Sequence, residues 1–87
     1  LAFFKARAVV KTATDHIAAN LYQPNVEACT QTYQAYCTAE GTEPSSGSLD
    51  KFMVQIGEQL KLRQIKPDAL VLYTLRCNVA TRLRLPE

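Results

Sequence analysis

Three helices followed by a two-stranded β-hairpin is the fold class this chain predicts, and three observations predict it. Apolar residues recur every three or four positions in three successive segments. Each segment is followed by proline or glycine punctuation. After Pro67 the apolar residues fall on alternate positions, the period of a strand. Eighty-seven residues suffice for one domain with one modest core and no separate catalytic unit. An apolar fraction of 47% against 21% charged residues argues for a folded chain rather than a disordered one.

The first helix is expected over residues 2 to about 21, where Phe3, Ala6, Val10, Ala13, Ile17 and Leu21 line one face. Pro24 ends it, having no N–H to donate and disfavouring helical geometry at Gln23. Asn25 then stands as the cap of a second helix, with Glu27 in its first turn against the positive end of the dipole. Val26, Cys29, Tyr33 and Tyr36 continue the spacing, and Gly41 supplies the left-handed stop. The connection "GTEPSSG" reads as a surface loop. Ser48 is the expected cap of the third helix, whose stripe is Leu49, Phe52, Met53, Ile56 and Leu60. Its acidic start at Asp50 and basic end at Lys61 and Arg63 match the macrodipole, so local stability alone accounts for part of the change of sign.

For the tail, Val71, Tyr73, Leu75, Cys77 and Val79 occupy odd positions, and Thr74, Arg76, Asn78, Arg82 and Arg84 occupy even ones. Strands over 69–77 and 81–86 follow, turning near Asn78. The rival is a fourth helix, hence an all-α four-helix bundle. Leu72, Leu75, Val79 and Leu83 also satisfy the three-four rule, and Pro67-Asp68 is an acceptable helix start.

Three cysteines, Cys29, Cys37 and Cys77, and a single histidine, His16, have no metal-ligand or disulfide spacing, so no cofactor or metal is expected and the thiols read as small core residues in a reducing compartment. Carboxylates are scattered, and a Cys37–His16 dyad in so small a domain lacks a cleft, so the chain is not expected to be an enzyme. No eighteen-residue apolar run occurs, and Lys5 and Arg7 interrupt the opening segment, which predicts a cytoplasmic protein without a membrane span or secretion signal. The start at Leu1 reads as a fragment of something longer, although removal of a leader would look the same.

Net charge is +2, unevenly held: residues 1–58 carry four basic and six acidic side chains, residues 59–87 six basic and two acidic. A basic carboxyl third attracts phosphate. Helix, helix, helix, ribbon is the order of a winged helix-turn-helix, in which the third helix enters the major groove and the ribbon follows the backbone. On that reading Ser48 and Lys51 meet phosphate, with Ser45 and Ser46 beside them, and Gln55 reaches a base edge. Lys61, Arg63 and Lys66 lie between helix and ribbon, and Arg76, Arg82 and Arg84 share the ribbon's outer face. DNA, duplex or single-stranded, is the expected partner. The competing class is a small protein-interaction or oligomerisation domain, with Phe3, Phe4 and Tyr22 left exposed.

The run "TYQAYCTAEGTEPSSGSLDKFMVQIGEQL" resembles the core of the winged-helix domain at the carboxyl end of phage and plasmid primase-helicases and their poxvirus counterparts. Tyr33, Tyr36, Cys37, Gly41, Pro44, Ser48, Phe52 and Ile56 hold the family's positions, and the likeness covers residues 26–62. The resemblance implies an origin-binding or DNA-handling module in replication, with the helicase ATPase elsewhere in a parent protein, since no G-x-x-x-x-G-K-[ST] occurs in this chain.

Overall fold

In the computed structural model, which describes residues 2–86 with side chains from Lys5 onward, the chain forms four helices. They are α1 (Ala2–Ala19), α2 (Val26–Glu40), α3 (Ser46–Leu62) and α4 (Ala69–Leu83). The first three lie close to where their periodicity put them. The helix α1 stops two residues early because the Asn20 side chain accepts from the N–H groups of Tyr22 and Gln23, at 3.2 and 3.0 Å, and turns the chain. The Asn25 carboxamide caps α2 by accepting from the Ala28 N–H at 3.0 Å. Gly41, at φ 67°, closes it in the left-handed region.

Two expectations are corrected. The first concerns the start of α3: its cap is Ser45, and Ser48 is the third residue inside the helix. The two serines exchange bonds, Ser45 Oγ accepting from the Ser48 N–H at 3.1 Å and Ser48 Oγ accepting from the Ser45 N–H at 3.2 Å. This is a capping box with serine in the place usually held by glutamate.

The larger correction is the tail. The β-hairpin over 69–77 and 81–86 does not form, and with it goes the winged helix-turn-helix; the residues build α4, as in the four-helix alternative. Asp68 caps α4, its carboxylate accepting from the Leu70 N–H at 2.8 Å. From Asp68 to Leu85 there is no glycine or proline, so nothing in the run supplies the positive-φ turn that a tight hairpin requires. Leu75, Val79 and Ala80 are buried, and Ala80 is the residue that a turn near Asn78 would have exposed. The helix ends at Arg84, itself left-handed at φ 53°.

A six-residue connection makes α1 and α2 an antiparallel pair, and the small Ala6 and Ala13 on the buried face of α1 let them lie close. The helix α3 packs across this pair. The helix α4 rests on α2 and α3 and, among the described residues, makes no backbone approach to α1. At the centre, the rings of Tyr33, Tyr36 and Phe52 meet with centroids 5.0 to 6.5 Å apart, and Ile17, Leu49, Ile56 and Leu60 close around them. Because α4 has neighbours on only two sides, much of its surface and the adjoining flank of α3 face outward.

Candidate functional site

The basic residues expected to hold phosphate are distributed by the four-helix arrangement in three ways. Arg63, Arg76 and Lys51 are engaged by carboxylates. Arg63 donates to Asp15 at 2.7 Å and ties the end of α3 to α1. Arg76, only 15% exposed in its side chain, donates through Nε to Asp50 at 3.0 Å and ties α4 to the first turns of α3. Lys51 lies 3.7 Å from Glu40. Such pairs contribute roughly 0.2–1 kcal/mol each where exposed. Lys61 and Lys66 stand at the α3–α4 corner, whereas Arg82 and Arg84 occupy the far end of α4. Fifteen helical residues separate those two groups by about 22 Å. The common outer surface that an extended tail would have given Arg76, Arg82 and Arg84 is therefore absent from the fold.

Ser48 and Gln55 have interior partners. The Ser48 hydroxyl bonds the Tyr33 hydroxyl, which also accepts from the Ser45 N–H at 3.1 Å. Gln55 donates to the Tyr36 hydroxyl at 2.9 Å. Burial pushes both phenols above their ordinary pKa, the buried neutral form being favoured over the charged one. These contacts lock the α2–α3 loop onto the aromatic centre, which explains why "SSGS" is ordered as a helix start.

What the arrangement leaves outside is apolar. Val54 on α3 and Tyr73 on α4 are 62% and 64% exposed and share a shallow groove with Met53 and Leu72, the Asp50–Arg76 pair at its edge. Past Val54 the surface continues over Gly57, Ile65 and Pro67, between Glu58, Lys61 and Lys66. On the other flank of α4, Leu70 adjoins Tyr22, which is 93% exposed as the sequence suggested. The Phe3 and Phe4 side chains expected to join it lie outside the described residues. Val54 escaped the sequence reading because it stands off the core stripe. The signal was there, an unbroken apolar run of Phe52, Met53 and Val54 that one buried face cannot absorb.

The thiols make a direct test of packing. Cys29 and Cys37 are buried, Cys77 is half-buried, and His16 is exposed. Burial raises the Cys29 thiol to about 11. Iodoacetamide at pH 8 is therefore expected to modify Cys77 first and Cys29 only on unfolding, as peptide mass mapping reads directly; rapid labelling of Cys29 in the folded chain would contradict the packing described. Among the described residues no helix is long and apolar enough to cross a membrane. No protein-family model matches the chain, and no curated protein or solved structure matches it.

Proposed function

We propose that this is a non-catalytic helical domain of the cytoplasm that docks onto protein surfaces through the outer face of α3 and α4. One observation carries the reading: Val54 and Tyr73 present contiguous apolar area, flanked by Met53 and Leu72, and ringed by the polar Asp50, Glu58, Lys61 and Arg76. An apolar centre inside a polar rim is the anatomy of a protein interface. The free thiols suit a reducing compartment. By contrast, three of the cations that a polyanion would need already have carboxylate partners.

The test is selection of amphipathic helical peptides against the immobilised domain, with the bound face mapped by amide chemical shifts. Perturbation is expected to centre on Met53, Val54, Leu72 and Tyr73, and Val54→Glu is expected to weaken binding at least tenfold, since it puts a charge in the apolar centre. Peptides that find no such face, together with retention of short duplexes whose log affinity falls with log salt by about 0.9 per neutralised phosphate, would return the chain to nucleic acid.

A further inference from the structure

Along the outward flank of α3, Asp50, Val54, Gly57 and Lys61 follow one another at spacings of four, three and four, so they stack in a single line. Gly57 is the odd member. After proline, glycine is the least favourable residue in a helix interior. Nothing among the described residues asks for it: Gly41 is their positive-φ glycine, and a Cβ added at Gly57 would meet nothing within 4 Å. A bare backbone on a helix surface has one evident use, to let another chain come close.

The line also reads the same way backwards. Reversed against a copy of itself, it sets Asp50 opposite Lys61 and Val54 opposite Gly57, an acid against a base and a knob against a notch. Such self-matching is what a two-fold interface demands, since each residue must suit its counterpart under the same rotation. Antiparallel pairing also opposes the two helix dipoles. Asp50 accepts from Arg76 through Oδ1, and its side chain is 64% exposed on this flank.

We propose that the chain forms a two-fold homodimer through antiparallel α3 helices, with Val54 seated on the partner's Gly57 and Asp50 paired with the partner's Lys61. The inference rests on the reading of this flank as a docking face and names its occupant as a second copy. Tyr73, on the rim of the same groove, is covered as the partner helix settles beside α4.

Sedimentation velocity from low micromolar to near-millimolar concentration tests it, starting from a 9.7 kDa monomer. Gly57→Ala separates dimer from fold because its two effects have opposite sign. It is expected to raise the melting temperature of the dilute monomer by roughly 4 °C, since the space is open, while weakening association about tenfold. Gly57→Leu is expected to abolish the dimer. Lys61→Asp and Asp50→Lys are each expected to associate poorly alone and, once circular dichroism shows that Asp50→Lys keeps its fold without the bond to Arg76, to recover when mixed, because the mixture restores both intermolecular pairs. A dimer that survives Gly57→Leu and the unmixed charge reversals runs through another face; that overturns the pairing and leaves the docking reading intact. A chain that stays monomeric throughout also overturns it, while helical peptides still bound at Val54 and Tyr73 would keep the broader reading.

Discussion

Phe52→Ala is expected to destabilise the domain by about 3–5 kcal/mol, a large share of what holds a chain of this size together, where native stabilities run about 5–15 kcal/mol. The Phe52 ring is 1% exposed and lies against both tyrosines, with centroids 5.4 Å from Tyr33 and 5.0 Å from Tyr36. Truncation removes its apolar burial and both ring–ring contacts, the latter worth roughly 0.5–1.5 kcal/mol each. Collapse of the site is hindered, because the two tyrosine hydroxyls are anchored to Ser48 and Gln55. A cavity therefore persists. Urea unfolding followed by circular dichroism gives the measurement, with Tyr22→Ala as the control; that side chain is 93% exposed, and the change is expected to alter stability by under about 0.5 kcal/mol. A loss below about 1 kcal/mol for Phe52→Ala would mean that the aromatic centre is not the keystone of this core.

The contrast between α1–α3 and α4 shows what a single sequence exposes of its fold. The first three helices each bury one narrow face, and Pro24, Gly41 and the 41–45 loop punctuate them. Their period was unambiguous. In α4, Leu75, Val79 and Leu83 are four apart, and four is a multiple of two, so the same residues satisfy strand and helix alike. The residues that decide are Leu72 and Ala80, both even-numbered and both packed on the core. Tyr73, odd-numbered and exposed, tipped the count the wrong way because α4 is apolar on its outer side as well. The end of α3 was also poorly marked: Gln64 rather than glycine takes the left-handed position at φ 60°. For the site, the charged residues were visible but their partners were not. Arg63 and Asp15 stand 48 residues apart in the chain, and Arg76 and Asp50 stand 26 apart. Only the packing of α1 and α4 against α3 joins them.

Ala80→Asp and Tyr73→Lys form the pair of substitutions that separates helix from hairpin most sharply, because the two folds predict opposite outcomes. In α4 the methyl of Ala80 is 5% exposed, so Ala80→Asp forces a carboxylate among apolar neighbours, where the nearest cation one turn before it, Arg76, is already engaged by Asp50 and Arg84 one turn after it lies at the left-handed helix end. A buried, unpaired charge of that kind is expected to cost about 3–5 kcal/mol and to leave much of the population unfolded. Tyr73→Lys changes a side chain 64% exposed and is expected to cost under about 1 kcal/mol. A hairpin reverses the order, with residue 80 in the open turn and Tyr73 inside beside Val71 and Leu75. Urea midpoints of the two variants decide between them, and tolerance of Ala80→Asp beside collapse of Tyr73→Lys would refute α4. The second variant reaches further than the fold. Since Tyr73→Lys leaves the helices standing while putting a cation where an apolar partner would sit, it is expected to retain the native spectrum yet lose binding of helical peptides, which makes the exposure of that ring a property of docking rather than of stability.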